Sequence, residues 1–197
     1  NEINKKFINY NKKCLRAISN VGVGYDNIDV EAATKNGIAV FNTPNIMNHA
    51  VADLTIGLII AITRKICLGN NFIKNKKWIG NSWDLFWGDN MQKEKLGIIG
   101  LGNIGKELAI RAKSFGLKIY YHNRKKLNNS IEKKYTAKYL EFEELISICK
   151  FIVLLLPLTK ESKYLFKKKQ FKKMRKDSYI INVARGKIIK EIDLVEA

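Results

Sequence analysis

The sequence predicts an α/β fold: a doubly wound parallel sheet with helices on both faces, and part of a smaller unit before it. Three observations carry this expectation. Short apolar strands alternate with helix-length stretches through the second half of the chain. One of those strands, Leu96 to Ile99, runs into three spaced glycines and then into helical periodicity, with Ile104, Leu108, Ala112 and Phe115 on one stripe. The first 44 residues repeat strand, loop, helix and strand on a smaller scale.

Taken in order, Cys14 to Ile18 reads as a short strand, followed by the loop Ser19 to Asn27. Gly22 and Gly24, two apart, allow successive backbone N–H groups to face the same way and form an anion-binding concavity; an ordinary strand-to-helix turn is the plainer alternative. Asp29 caps a short helix through Ala33, Gly37 ends it, and Ile38 to Phe41 forms the next strand. Asn42-Thr43-Pro44 stops that strand, and Asn48 is placed to cap a long helix over about residues 49–68. Val51, Leu54, Ile56, Leu58, Ile59, Ile60 and Ile62 run nearly all round that helix, which predicts burial between layers. The helix dipole alone accounts for Asp53 in its first turn. Residues 70–91 carry Trp78, Trp83, Phe86 and Trp87, more large aromatics than a linker needs, and suit an arm that packs on a second subunit.

Beyond the glycines, Lys118 to Tyr121 is the second strand of the main sheet, Phe142 to Cys149 a helix, and Phe151 to Leu156 and Tyr179 to Val183 further strands. The basic run Lys167 to Lys176 keeps Phe166, Phe171 and Met174 on a helical stripe and reads as a solvated helix face.

Each glycine of the motif has its own reason. Gly100 permits the sharp turn out of the strand, Gly102 lets a dinucleotide pyrophosphate approach the backbone, and Gly105 lets the helix pack close to the strand. The phosphates would rest on the free N–H groups of the helix N-terminus. In such folds an acidic residue ~20 positions further on binds the ribose of NAD, whereas an arginine there accommodates a 2′-phosphate. This chain offers His122-Asn123-Arg124-Lys125-Lys126, which predicts NADP(H) as the preferred cofactor, with NAD(H) as the alternative.

The chain has 197 residues, 46% of them hydrophobic, enough for one core and part of another. A net charge of +18 raises nucleic acid as a partner, but the lysines are spread along the whole chain and no recognition motif accompanies them, so none is expected. Ala50 to Ile62, the most hydrophobic stretch, is shorter than the ~20 residues that cross a bilayer, so no membrane span is expected. Cys14, Cys67 and Cys149 have no metal or redox spacing and suggest buried thiols in a reducing, cytoplasmic compartment.

Several ordered motifs resemble the D-isomer-specific 2-hydroxyacid dehydrogenase family, and within it the glyoxylate/hydroxypyruvate reductase branch. They are Asn20-Val21-Gly22-Val23-Gly24-Tyr25-Asp26-Asn27-Ile28-Asp29, Asn42-Thr43-Pro44, Ala52-Asp53-Leu54, the glycine motif, Leu156-Pro157-Leu158-Thr159 and Asn182-Val183-Ala184-Arg185-Gly186. The resemblance implies a partial flavodoxin-like substrate domain over residues 1–44 and a Rossmann-like NAD(P)-binding domain over 45–197. It implies hydride transfer from NAD(P)H to a small 2-oxo acid, with Arg185 as the catalytic residue that holds the substrate carboxylate and polarises the carbonyl. Val21, Gly22, Val23 and Gly24 would meet that carboxylate through the backbone. Trp87 resembles a tryptophan that enters the substrate pocket of a neighbouring subunit, so a homodimer is implied. The cofactor would be held by Gly100, Leu101, Gly102, Asn103, Ile104 and Gly105 at the pyrophosphate and by Asn123, Arg124 and Lys125 at the ribose. Leu156 and Pro157 would lie beside the adenosine, and Val183, Ala184 and Arg185 beside the nicotinamide.

The family's proton donor is a histidine with an acidic partner, and neither His49 nor His122 matches it. The sequence therefore reads as an internal fragment that binds nucleotide without turnover. Alternatives are a phosphoglycerate or sugar-acid dehydrogenase, a nucleotide-responsive corepressor of the same fold, and an inactive remnant.

Overall fold

A computed structural model describes residues 2–80 and 85–197; Trp83, expected in the aromatic arm, lies outside the described residues. The chain begins with α1 (Lys5–Asn11), β1 (Ala17–Ser19), α2 (Val30–Lys35) and β2 (Ala39–Phe41). The helices α3 (Asn48–Thr63) and α4 (Ile66–Lys74) lead to β3 (Lys95–Ile99), α5 (Asn103–Ser114) and β4 (Lys118–His122). There follow α6 (Asn129–Tyr135), β5 (Ala137–Tyr139), α7 (Phe142–Ile148), β6 (Phe151–Leu154), α8 (Lys168–Lys173), β7 (Tyr179–Asn182) and α9 (Glu191–Val195).

Among the described residues the strands form two parallel sheets. One pairs β1 with β2; the other has the order β5-β4-β3-β6-β7, all parallel. Because side chains alternate along a strand, β3 sends Leu96 and Ile98 to one face and Ile99 to the other, and β6 likewise divides Phe151 and Val153 from Ile152 and Leu154. The first face is covered by Ala52, Ile56 and Ile59 of α3 and Leu108, Ala109 and Ala112 of α5. The second is covered by Leu145 and Ile146 of α7 with Phe166 and Ile188. The small sheet has its own core of Ile8, Ile18, Ile28, Ala32, Ala33 and Ile38.

Several local expectations need correction. The helix predicted over about 49–68 is broken: Lys65 is left-handed at φ 52°, and the carbonyl of Thr63 accepts the N–H of Asp89 at 2.9 Å instead of continuing the helix. Asn48 is the first residue of α3 rather than its cap; its amide donates to Asn45 Oδ1 at 3.3 Å, and the cap position, Met47, makes no side-chain bond. Burial of α3 is one-sided: among the described residues nothing covers Leu54, Leu58 and Ile62, which stay exposed. Cys14 and Cys67 are exposed on loop and helix surfaces, so only Cys149 fits the expected buried thiol. Asp53 has more than the helix dipole to hold it, since Arg111 of α5 donates to its carboxylate. No described helix is long and apolar enough to cross a membrane.

Candidate nucleotide and substrate site

All five strands of the large sheet point the same way, so the loops after their carboxyl ends gather along one edge, where open α/β sheets bind ligands. Gly100 follows β3, Asn123 follows β4, Leu156 and Pro157 lie two and three residues past β6, and Val183 to Arg185 follow β7.

At the glycine turn, Gly100 has φ +105°, and a Cβ there would also press on the Leu155 carbonyl. A Cβ on Gly105 would stand 2.6 Å from the carbonyl oxygen of Gly100, so the helix can approach the strand only through glycine. Nothing stands within 4 Å of the Cβ position of Gly102, which leaves that backbone open to an incoming group. The first turn of α5 starts at Gly102 with no side-chain cap, and its first intrahelical bond is Lys106 N to Gly102 O. The N–H groups of Asn103, Ile104 and Gly105 therefore have no acceptor among the described residues, and a pyrophosphate fits these donors.

Leu101 N–H donates to Asn123 Oδ1 at 2.7 Å, which ties the glycine turn to the end of β4. Arg124 and Lys125, next in the chain, are exposed. Asn103 donates from its side chain to Asn45 Oδ1 at 2.7 Å, so the start of α5 is also tied to the loop before α3. On the far side, Leu156 lies beside Gly100, and the Pro157 carbonyl accepts the Ser162 hydroxyl at 2.7 Å. Across this loop, the Thr159 hydroxyl holds the Glu161 carboxylate below its usual range, and the charge of Arg124 adds to the effect.

The loop Val21 to Gly24 leaves β1 and is fixed by polar side chains. Asn20 donates to the carbonyls of Gly22 and Gly24 at 3.1 and 3.0 Å, and Asn42 donates to that of Val23 at 3.0 Å. Gly22 N–H donates to the Thr43 hydroxyl at 3.0 Å, so it is already engaged; the N–H groups of Val21, Val23 and Gly24 have no acceptor among the described residues. Arg185 reaches this loop from β7. Its Nε donates to Asp26 Oδ1 at 2.9 Å and its Nη1 to the Ala184 carbonyl at 3.1 Å, while its Nη2 fills the space where a Cβ on Gly24 would be. Asn182 sets the turn that launches it, accepting from Ala184 N and donating to the Arg185 carbonyl.

The resemblance sends Arg185 and the Val21 to Gly24 loop to one carboxylate, and the structure places the Arg185 guanidinium against Gly24. Beside Trp87, Gly88 and Asp89 are held at the end of α3 and at the start of β7. His49 pairs with Glu107 at 2.9 Å between α3 and α5, and His122 Nδ1 lies 3.0 Å from the Leu140 carbonyl; neither contacts Arg185. Asp26, Asn20, Asn42, Thr43 and Asn45 were missed as site residues. Asn20, Asn42 and Thr43 carry a signal, short polar side chains just past strand ends that bond nearby backbone, whereas Asp26 and Asn45 bond side chains distant in the sequence.

A parallel sheet whose first strand feeds a glycine turn and an uncapped helix defines a dinucleotide-binding α/β protein. A sequence model of the D-isomer specific 2-hydroxyacid dehydrogenase NAD binding domain matches residues 56–197, and the chain belongs to that family. It is 40% identical over 187 residues to a glyoxylate reductase of Pyrococcus horikoshii, covering 93% of this chain and 56% of that one. It is 40% identical over 185 residues to 4-methyl-2-oxopentanoate reductase A of Aspergillus oryzae, covering 94% and 55%. The crystal structure of a glyoxylate reductase from Paecilomyes thermophila superposes with a TM-score of 0.89 at 38% identity, covering 100% of this chain and 58% of that one. The chain thus spans a little over half the length of these relatives.

Proposed function

We propose that the chain is the nucleotide-binding part and one wall of the substrate site of an NADPH-dependent reductase of small 2-oxo acids, glyoxylate or hydroxypyruvate foremost. The observation that carries this reading is the meeting of Arg185 with the Val21 to Gly24 loop, which puts a permanent cation beside free backbone N–H donors at the carboxyl edge of the sheet. A carboxylate fits that arrangement, and an arginine beside it can stabilise negative charge as it develops on a neighbouring carbonyl oxygen. Residues 1–44 would form the partial substrate domain and 45–197 the nucleotide domain.

Asn103, Ile104 and Gly105, with Leu101 and Gly102, would hold the pyrophosphate; Asn123, Arg124 and Lys125 the ribose and its 2′-phosphate; Leu156 and Pro157 the adenosine; Val183 and Ala184 the nicotinamide. The reduced nicotinamide supplies hydride when bound. Asn123, where an acidic residue would repel a 2′-phosphate, and the exposed cations after it support NADPH over NADH. His49 pairs with Glu107 and His122 with the Leu140 carbonyl, so neither is assigned as the proton donor to the substrate. The exposed Leu54, Leu58 and Ile62 of α3, the exposed α4 residues Ile66 and Leu68, and Trp78 and Trp87 support a homodimer with Trp87 directed to the partner. Three unpaired cysteines suit the cytoplasm.

Calorimetry with NADPH and NADH, followed by glyoxylate-dependent NADPH oxidation in the whole natural protein, tests the reading. NADPH should bind more tightly than NADH, and Arg185→Ala should abolish oxidation in a protein that still binds NADPH. Equal affinity for the two nucleotides would end the NADP assignment. Oxidation unaffected by Arg185→Ala would end the assignment of the site.

A further inference from the structure

We infer that Asp26 is a positioning residue for Arg185, fixing which pair of guanidinium N–H groups is offered to a substrate carboxylate. The inference rests on the proposed role of Arg185 as the carboxylate-binding arginine. A guanidinium carries five N–H donors in a rigid plane and can meet a carboxylate through either of two parallel pairs, one that includes Nε and one made of Nη1 and Nη2. Asp26 Oδ1 takes the Nε–H at 2.9 Å and the Ala184 carbonyl takes one N–H of Nη1 at 3.1 Å. The Nε edge is thereby closed. One N–H on Nη1 and both on Nη2 are left, so a substrate carboxylate is received at the tip of the arginine.

The surroundings hold this orientation. Nη2 lies against the bare Cα of Gly24, where any other residue would push it away. Gly24 is itself anchored through its carbonyl to Asn20, and Asp26 stands two residues further along the same loop. The loop that offers its N–H groups to the carboxylate thus also aims the arginine, and the two halves of the cradle cannot drift apart without breaking the Asp26 bond. Arg185 is a long side chain that would otherwise lose its rotamer freedom only as substrate docks; pairing with Asp26 takes that loss beforehand. The negative charge of Asp26 lies on the Nε edge, away from the open tip.

The side chains of Asp26 and Arg185 are 30% and 39% exposed, and a pair that wet could be a surface ion pair of no consequence. The test separates the two. In the whole natural protein with NADPH and glyoxylate, Asp26→Ala should raise KM about tenfold and lower kcat about tenfold, the scale expected when a catalytic group is misplaced. NADPH affinity should stay within about twofold, because the glycine turn is untouched. Asp26→Asn keeps an oxygen to accept the Nε–H and should recover most of the loss. In an Arg185→Ala background, with oxamate affinity as the readout, Asp26→Ala should cost nothing further, since the residue it aims is gone. Equal losses in both backgrounds would assign Asp26 to loop stability and overturn the inference. Unchanged kinetics in Asp26→Ala, with an active parent protein, would overturn it alone. A parent protein that neither reduces glyoxylate nor binds oxamate would overturn the reading of Arg185 along with it.

Discussion

Asn123 and Leu101 are joined by a 2.7 Å hydrogen bond from the backbone of one to the side chain of the other, so the residue that follows β4 is fastened to the turn that follows β3. The ribose and pyrophosphate ends of a bound nucleotide would then move as a unit. Asn123→Ala should weaken NADPH and NADH alike, by about fivefold for one hydrogen bond of about 1 kcal/mol. Asn123→Asp keeps the acceptor but adds charge, and should weaken NADPH while leaving NADH near the parent value. Calorimetry on the two variants with both nucleotides checks the pattern.

Arg124 is exposed, one residue past Asn123. Arg124→Ser should lower NADPH affinity by roughly 10- to 100-fold, the worth of a charge-assisted contact, and NADH affinity by less than about twofold. Equal losses for both nucleotides would contradict the assignment.

Gly105→Ala places a methyl group against the Gly100 carbonyl oxygen and close to Ile98. Helix α5 would have to back away from β3. The expected cost is about 1–3 kcal/mol, a fall in Tm of roughly 3–10 °C, together with weaker nucleotide binding. A melt at the parent temperature would show that the helix is looser than described.

The hydroxyl of Tyr179 donates to Asp89 Oδ2 at 2.5 Å, and Lys150, nearly buried, lies 3.5 Å from the same carboxylate. The Tyr179 bond, helped by Lys150, holds the Asp89 carboxyl below its usual range, while the bond to Asp89 and then burial push Tyr179 up to about 12. The signs are opposite. Asp89, depressed on folding, contributes stability that is present above the unfolded carboxylate value of about 4 and is lost as pH falls through its lower folded value. Tyr179, raised on folding, contributes stability that is present below about pH 10 and is lost as pH rises through its folded value. Tyr179→Phe should cost about 1 kcal/mol at neutral pH. Relative to the parent, its Tm should fall less between about pH 10 and 12 and less below about pH 4.

Cys149 is buried against the large sheet, and burial pushes its thiol up to about 12, whereas Cys14 and Cys67 are exposed. In the native protein a thiol reagent at pH 8 should label Cys14 promptly and Cys149 only after denaturation. Prompt labelling of Cys149, located by mass spectrometry, would mean that α7 opens from the sheet.

Much of the large sheet was legible because β3, β6 and β7 are mostly apolar and the glycine turn has a spacing that few other structures require. Strand ends were read one to three residues off, as where β6 ends at Leu154 and β7 at Asn182, since the hydrophobic run continues past the last ladder bond. The short β5, Ala137–Tyr139, and α6 before it carry too few apolar residues to announce themselves and are held by neighbours: Tyr121 of β4 bonds Glu132 of α6, and β5 pairs with β4. The break at Lys65 was invisible because its cause is Asp89, far along the chain, taking the Thr63 carbonyl. The same holds for the site. Motifs could name Arg185 and the Val21 to Gly24 loop, but the bond from Arg185 to Asp26 spans most of the chain, and local periodicity carries no record of it.

The small sheet and the large one are packed around separate hydrophobic cores, and each contributes one side of the contact between Arg185 and Gly24. The core behind Val21 to Gly24 is built from a few isoleucines and alanines, so it should soften first on warming. The glycine turn, bolted to the larger core, would keep its shape for longer. A heated sample would then lose its grip on the acid while still holding the nucleotide, and substrate affinity would serve as the earlier thermometer.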